Sequence, residues 1–255
     1  MRICVLASGS EGNVTYIETK HHRILLDLGK QPQFIKNRLD TINVAINEID
    51  AIIISHTHTD HVSGLEKFIK KYPVAVYVTV DMMPDLSFLN DYNKLIIYDE
   101  KIVFSDLIIT SIKASHDVID ARNFIINYQK YQIGYITDTG YISRKHFDLL
   151  RNLDIYLFES NHDITMLMQG PYPEWLKQRV LGTVGHLSNR DAAIYLAKLI
   201  GPSTKKIVLI HLSKKNNDPQ VALATIQEVF QIYNKKFSNI ICAEQNQSTP
   251  VIILK

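Results

Sequence analysis

The chain has little cysteine, little net charge and no long apolar run. Its 255 residues include two cysteines, Cys4 and Cys242, which excludes a small secreted fold held by several disulfides and predicts two buried, reduced thiols. The formal net charge of +2 excludes bulk attraction to nucleic acid, although a local basic groove is compatible with it. No run approaches the roughly 18 apolar residues of a membrane-spanning helix. Since Met1–Ser8 also lacks a signal-peptide pattern, we expect a cytoplasmic protein.

Strand and helix patterns are present in both halves of the chain. Hydrophobic residues make up 46% of it, enough for a substantial core, and no repeat or linker divides it. Strands are predicted at 3–6, 14–18, 23–28, 51–55, 74–79, 107–114, 123–128, 132–137, 154–159 and 206–211, and helices at 33–39, 64–71, 192–200 and 219–233. This pattern favours an α/β protein with one domain over 1–255.

The most informative segment is Ser-His-Thr-His-Thr-Asp-His, which directly follows the apolar run 51–54. It places His56, His58, Asp60 and His61 in one loop at a strand end. Neutral imidazole and carboxylate are ligands of divalent transition metals. In an extended turn, His56 and His58 would lie on one side and Asp60 and His61 on another, so one loop would serve two cations. The alternative is a chance cluster of surface polar residues.

Three further candidates lie at the ends of predicted strands. His116, Asp138 and His211 each follow an apolar run, and side chains at the ends of several strands converge on one edge of a sheet. This recurrence argues against a chance cluster. Five histidines and two aspartates would complete two metal sites, for which zinc, manganese and iron are all suitable.

The motif His-x-His-x-Asp-His at positions 56–61 resembles that of the metallo-β-lactamase superfamily. The resemblance implies an αββα four-layer sandwich with two divalent metal ions at one edge of the sheets. It also implies the ligand sets His56, His58 and His116 for one metal, and Asp60, His61 and His211 for the other, with Asp138 bridging.

Further motifs resemble those of the YycJ family, also called VicX or WalJ. They are 7–13 (ASGSEGN), 159–163 (ESNHD), 170–173 (GPYP), 185–189 (GHLSN) and 211–213 (HLS), and they span nearly the whole chain. The resemblance implies a bacterial hydrolase related to the phosphodiesterase branch that contains nucleases. It suggests a DNA exonuclease in replication or repair, with DNA as the substrate.

Two cations that share Asp138 would activate a bridging water as hydroxide, which predicts hydrolysis. We name Asp60 and His186 as catalytic residues, with His186 contacting phosphate or supporting the site; its alternative role is helix capping or packing. The resemblance to the superfamily implies that Asp27 supports the histidine loop by hydrogen bonds, and its alternative is a turn aspartate. For His162, support of the metal ligands and a plain structural role are equally compatible with the sequence. The sequence does not determine from which end DNA would be digested or how many chains the protein assembles.

Two other functions are compatible with the sequence. The same hydroxide would attack the carbonyl of a small thioester or lactone, and a nonenzymatic metal-binding regulator belongs to a different class. Lysines 205, 206, 214 and 215 flank His211 and would form a basic rim at the metal edge, which favours phosphate; the default alternative is that they are simply solvated. The histidines outside the motifs, His21, His22 and His146, are expected to be solvated.

Overall fold

The computed structural model describes residues 1–255 and contains fourteen strands and eight α-helices. The strands are β1 (Arg2–Ala7), β2 (Val14–Glu18), β3 (Arg23–Leu26), β4 (Ala51–Ile53), β5 (Ala75–Val78), β6 (Leu95–Ile97), β7 (Lys101–Val103), β8 (Ile108–Lys113), β9 (Arg122–Tyr128), β10 (Tyr131–Ile136), β11 (Ile155–Glu159), β12 (Lys206–Ile210), β13 (Ile240–Cys242) and β14 (Ile252–Ile253). The helices are α1 (Pro32–Asp40), α2 (Thr59–Val62), α3 (Leu65–Lys71), α4 (Phe147–Leu150), α5 (Ile164–Gln169), α6 (Glu174–Leu181), α7 (Asn189–Leu199) and α8 (Pro219–Ile232). Short 3-10 helices cover Ile46–Glu48, Val80–Leu89 and Arg144–His146.

The strands form two seven-stranded sheets, and the chain divides into two compact units. The first unit comprises Met1–Ser111, Val118–Arg122 and Glu244–Lys255, and the second comprises Ile112–Asp117 and Asn123–Ala243. Strands and helices occur in both units, which confirms the predicted α/β class. One domain over 1–255 stays a prediction.

In the first unit, one sheet has the order β14-β1-β2-β3-β4-β5-β6. Its β3, β4, β5 and β6 are parallel neighbours, and Leu26 pairs with Ile53 at the ends of β3 and β4. Because parallel strands end at the same edge, Asp27 and the loop that begins at Ser55 leave the sheet side by side. Apolar residues of α1 and α3 pack in the core of this unit. The fold thus places a carboxylate next to the histidine loop.

In the second unit, β10, β11, β12 and β13 are parallel neighbours. Ile136 pairs with Phe158, and Glu159 pairs with Ile210. The ends of β10, β11 and β12 therefore lie at one edge of the sheet, and the polar residues that follow these strands leave it together. A core that includes residues of α7 and α8 fills the interior of this unit.

Helix starts in the second unit follow from capping residues. Ser188 caps α7 by accepting from the backbone N–H of Asp191, and Asp218 caps α8 just before Pro219. A hydroxyl or carboxylate at the cap accepts from an N–H that the helix leaves unpaired, and a proline at the first helical position has no N–H that needs a partner. Both helices were predicted, whereas α5 and α6 were not.

The structure tests the prediction of two buried, reduced thiols. Cys4 and Cys242 are both free, and Cys4 is buried as predicted, but the prediction of burial is wrong for Cys242, which is partly exposed on the edge strand β13. The longest helix, α8, has 14 residues, and none of the helices has the length and apolarity needed to cross a bilayer.

Candidate metal centre

The histidine loop of the first unit holds its imidazoles close together. The ring centroids of His56 and His61 are 4.0 Å apart, and those of His56 and His58 are 5.0 Å apart. His56 and His61 are buried. The expected extended turn is wrong from Thr59 onward, because the N–H of His61 donates to the carbonyl of His58 and α2 begins at Thr59. This helical turn, rather than strand-like alternation, directs Asp60 and His61.

Asp27 supports this loop through both carboxylate oxygens. Its Oδ1 accepts from the backbone N–H of Ser55 at 2.7 Å, and its Oδ2 accepts from the hydroxyl of Ser55 at 2.9 Å. The same Oδ2 lies 2.8 Å from Nδ1 of His61. A proton on Nδ1 leaves a lone pair on Nε2, which is how a carboxylate prepares a histidine to bind a metal. Asp27 adopts a left-handed backbone conformation with φ of 59°, a conformation that is concentrated at functional sites.

The other ring nitrogen of His61 faces an acceptor. Nε2 of His61 lies 3.5 Å from Oδ2 of Asp60. The side-chain amide nitrogen of Asn13 lies 2.9 Å from Nε2 of His61 and 3.1 Å from Oδ2 of Asp60. A lone pair and a carboxylate oxygen at this separation suit a cation that both would bind. Asn13 belongs to the motif at 7–13, in the segment between β1 and β2.

Gly29 lies directly against this loop. A Cβ atom built on Gly29 would be 1.7 Å from the carbonyl oxygen of Asp60, far inside van der Waals contact. We expect Gly29→Ala to displace the Asp60 backbone, lower the free energy of unfolding by about 3 kcal/mol or more, and weaken metal binding. Chemical denaturation and metal analysis measure both effects. Gly182→Ala is the control, since its Cβ would be no closer than 3.3 Å to any atom; equal behaviour of the two variants would contradict the prediction.

The second unit gathers four donor residues: three lie at the ends of β10, β11 and β12, and the fourth, His186, lies in the segment between α6 and α7. One ligand atom from each of Asp138, Glu159, His186 and His211 lies within 4.8 Å of the others. Oδ1 of Asp138 is 3.2 Å from Nδ1 of His211 and 3.5 Å from Nδ1 of His186. Asp138 and His211 both have left-handed backbones, with φ of 47° and 58°. The strained conformations turn both side chains out of their strands into one cluster.

His116 adds a third imidazole to this cluster of the second unit. Its Nδ1 lies 3.2 Å from the carbonyl oxygen of Gly185, which fixes the proton on Nδ1. Its Nε2 is 3.7 Å from Oδ1 of Asp138. The lone pair on Nε2 therefore faces the same carboxylate oxygen as His186 and His211. His116, His186 and His211 thus surround one oxygen of Asp138.

Glu159 is a residue of this cluster that the sequence analysis did not assign to the site. Its carboxylate is fully buried, and its Oε1 is 2.7 Å from Nδ1 of His186 and 3.1 Å from Nδ1 of His211. Its Oε2 accepts the backbone N–H groups of Thr139 at 3.0 Å and Leu187 at 3.2 Å. Burial raises the pKa of this carboxyl, but the charge of His186 and the hydrogen bonds from both histidines lower the pKa to about 2. An acidic residue that ends an apolar strand was the available signal.

His162 does not make the hydrogen bonds expected of a residue that supports metal ligands. It is 1% exposed, and neither ring nitrogen has a hydrogen-bond partner. Its carbonyl accepts from the N–H of Asn189 at the start of α7. Burial lowers the pKa of its imidazole to about 4, helped by the charge of His186, so the ring is neutral near pH 7.

This low pKa predicts acid sensitivity. Between pH 6.5 and 4 the unfolded chain protonates residue 162 and the folded protein does not, so stability falls as the pH falls. At pH 4 the loss from His162 is about 3 kcal/mol. We expect His162→Gln to show a flatter decline of the free energy of unfolding across this range in urea denaturation, with His21→Gln as the exposed control. Parallel pH profiles for wild type and His162→Gln would contradict the assignment.

The structure corrects two smaller predictions. Lys205 and Lys206 lie at the start of β12, whereas His211 follows its end, so about 16 Å of strand separates them. They do not belong to a basic rim, and Lys205 instead pairs with Asp154 at 2.6 Å. The expected solvation of His146 is also wrong, because its Nε2 atom is buried.

The donor sets of both units fit a divalent transition metal. They consist of imidazole nitrogens and carboxylate oxygens, and Asp27, Gly185 and Glu159 fix which nitrogen of the adjoining histidine carries the proton. Neutral histidines with a fixed tautomer are the form in which this residue binds metals.

Comparisons with known proteins agree with this chemistry. The model of the beta-lactamase superfamily domain matches residues 22–212. The chain is 32% identical over 236 residues to the exodeoxyribonuclease YycJ of Bacillus anthracis, covering 91% of this chain and 89% of the relative. It is 37% identical over 229 residues to the exodeoxyribonuclease WalJ of Streptococcus pneumoniae strain D39, covering 87% of this chain and 85% of the relative.

Solved structures show the same fold. The metallo-β-lactamase fold protein YhfI from Bacillus subtilis superposes with a TM-score of 0.71 at 16% identity, covering 98% of this chain and 99% of that one. A diphosphatase of the PhnP family superposes with a TM-score of 0.69 at 16% identity, covering 99% and 98% of the two chains. The predicted αββα fold class is confirmed. The chain therefore belongs to the metallo-β-lactamase superfamily of metal-dependent hydrolases and, within it, to the YycJ/WalJ family.

Proposed function

We propose that the protein is a dinuclear metal-dependent phosphodiesterase that acts on DNA as an exonuclease, in replication or repair and in the cytoplasm. The observation that carries the proposal is the cluster of Asp138, Glu159, His186 and His211, whose donor atoms lie within 4.8 Å of one another. The names of the YycJ and WalJ relatives, both exodeoxyribonucleases, supply the substrate class.

The proposed ligand sets follow the superfamily motif. His56, His58 and His116 would hold one ion, Asp60, His61 and His211 would hold the second, and Asp138 would bridge. Divalent zinc, manganese or iron there would supply Lewis acidity toward the scissile group and activate water. The contacts of His61 with Asp27, of His116 with Gly185 and of His211 with Glu159 support the proposal, because each leaves Nε2 available as a ligand atom.

His186 is proposed to move a proton at the leaving oxygen. Its Nδ1 is held by Glu159 at 2.7 Å, and its side chain retains 15% exposure. A buried carboxylate behind an imidazole stabilises the imidazolium form and fixes the ring orientation. His186 would therefore donate from Nε2 to the departing oxygen while Glu159 holds the ring.

Asp60 is proposed as the second catalytic residue as well as a ligand. Its carboxylate is 21% exposed, and its Oδ2 accepts from the amide of Asn13 at 3.1 Å. That hydrogen bond holds the carboxylate in one orientation beside His61. Asp60 is thus placed to accept a proton while remaining fixed.

A substrate panel tests the proposal. Purified protein loaded separately with zinc, manganese and iron is assayed on single-stranded and duplex DNA, RNA, bis(p-nitrophenyl) phosphate and a lactone series. We expect DNA to be shortened from its ends and the phosphodiester model compound to be cleaved. Metal analysis should give two ions per chain. Carbonyl hydrolysis without phosphodiester cleavage would instead assign a lactone or thioester hydrolase, and DNA binding without cleavage by any metal form would favour a regulator.

A further inference from the structure

A polar cleft of about 140 Å³ opens in the second unit. Its lining includes Lys113, Ser115, Tyr141, Ser143, Lys145 and His146. The lining comes from the end of β8, the loop after β10 and the 3-10 helix Arg144–His146. The proposed mechanism uses none of these residues.

The cleft is joined to the metal centre by two hydrogen-bonded loops. Ser115 directly precedes His116, and Tyr141 follows Asp138 by three residues. The N–H of Gly140 donates to the carbonyl of Ser115 at 2.9 Å, so the two loops keep a fixed spacing. Along the chain, Ser115 is about 4 Å from His116 and Tyr141 at most about 11 Å from Asp138. One to three nucleotides of a stacked strand span such distances, at ~3.4 Å each.

The chemistry of the cleft suits a phosphate. Lys113 and Lys145 are exposed cations in the lining. Burial, with a contribution from Lys145, lowers the pKa of His146, so its imidazole is neutral and the positive charge of the cleft comes from the lysines.

An aromatic ring stands at the same cleft. Tyr141 is 46% exposed, which is high for a large aromatic side chain. Cationic side chains along a backbone path, combined with an aromatic ring on which a base stacks, are typical of single-strand binding. The combination indicates a nucleic-acid strand rather than a free anion.

We propose that this cleft binds a backbone phosphate of the DNA strand one to three nucleotides from the bond that is cleaved, with Tyr141 stacking on the adjoining base. The inference rests on the proposed function and adds to it a subsite outside the metal ligands. The cleft would thus hold the strand so that one phosphodiester bond lies beside Asp138 and His186. After each hydrolysis, the strand would advance by a fixed number of nucleotides before the next bond is cleaved.

Binding of a fluorescent single-stranded oligonucleotide tests the subsite without requiring turnover. We expect the double variant Lys113→Gln, Lys145→Gln to raise Kd about tenfold. It should also reduce the slope of log Kd against log salt by about 1, the value expected for loss of one to two phosphate contacts on a single strand. Tyr141→Ala should weaken binding severalfold with the salt slope unchanged. Lys198→Gln, an exposed lysine on α7, is the matched control for charge.

A second measurement locates the phosphate. In a series of oligonucleotides with one neutral methylphosphonate each, wild type should lose affinity at one position near the cleaved bond, and the double variant should be indifferent there. Turnover of bis(p-nitrophenyl) phosphate, which has a single phosphate, should stay within about twofold of wild type.

The outcomes separate the two proposals. Wild-type binding that the lysine substitutions leave unchanged, or no oligonucleotide binding by wild type, overturns the cleft proposal. A third result would also overturn the cleft proposal. If inorganic phosphate competes with the oligonucleotide only when both lysines are present, and no methylphosphonate position affects binding, the cleft binds free phosphate rather than the strand. Strand binding at the cleft with no phosphodiester cleavage overturns the proposed function and leaves the cleft assignment standing.

Discussion

Asp138→Asn is expected to abolish hydrolysis and to remove bound metal from the protein. Oδ1 of Asp138 lies 3.2 Å from His211, 3.5 Å from His186 and 3.7 Å from His116, and Oδ2 accepts from the hydroxyl of Thr137 at 2.6 Å. Loss of the negative charge removes the group proposed to bridge two cations. Turnover should fall by about 10³-fold or more, with fewer than two ions retained per chain.

The asparagine variant separates charge from backbone strain. Position 138 has φ of 47°, a conformation that asparagine tolerates and alanine does not. We expect Asp138→Ala to lose both metal and stability, and Asp138→Asn to lose metal with a smaller loss of stability. Asp148→Asn, on the exposed side of α4, controls for the substitution itself. Retention of both ions and of turnover by Asp138→Asn would contradict the bridging role.

His186→Ala provides a contrast within the same cluster. The proposed mechanism makes His186 a proton donor rather than a ligand, so its removal should leave metal content near that of wild type while turnover falls by orders of magnitude. Metal analysis beside kinetics distinguishes the two residues. Equal metal loss in Asp138→Asn and His186→Ala would make His186 a ligand, as its place in the four-residue cluster also permits.

Glu159→Gln is expected to have the second largest effect. The carboxylate accepts from two imidazoles and two backbone N–H groups, and an amide has one oxygen for four donors. Whichever way the amide turns, its NH₂ group faces two other donors. The free energy of unfolding should fall by about 2–4 kcal/mol, and turnover by about 10²-fold or more because His186 loses its orienting carboxylate.

Three measurements distinguish this positioning role from a structural one. Urea denaturation gives the stability, metal analysis gives the effect on His211, and the pH profile of turnover reports on His186. Loss of the carboxylate removes the charge that orients the imidazole of His186, so the pH profile of turnover should change in shape. Glu228→Gln, exposed on α8, is the control. An unchanged pH profile with reduced stability would assign Glu159 a structural role only.

The local part of the centre was predictable from the sequence. His56, His58, Asp60 and His61 lie within six residues, so folding cannot separate them, and the apolar run before them predicted a strand. The other predicted ligands were found because each follows a strand: β8 ends shortly before His116, β10 before Asp138 and β12 before His211. The end of a strand can be located from the sequence because the pattern of hydrophobic residues stops there, and that pattern is a local property of the chain.

Only the tertiary structure shows which histidine each buried carboxylate contacts. Glu159 contacts His186 and His211, which lie 27 and 52 residues away in sequence, and Asp27 contacts His61 across 34 residues. These contacts follow from the parallel registers of β10, β11 and β12 and of β3 and β4. The sequence by itself determined the α/β class and the types of donor atom, whereas only the folded chain decided their partners, because strand register is set by pairing between distant segments and leaves no local pattern.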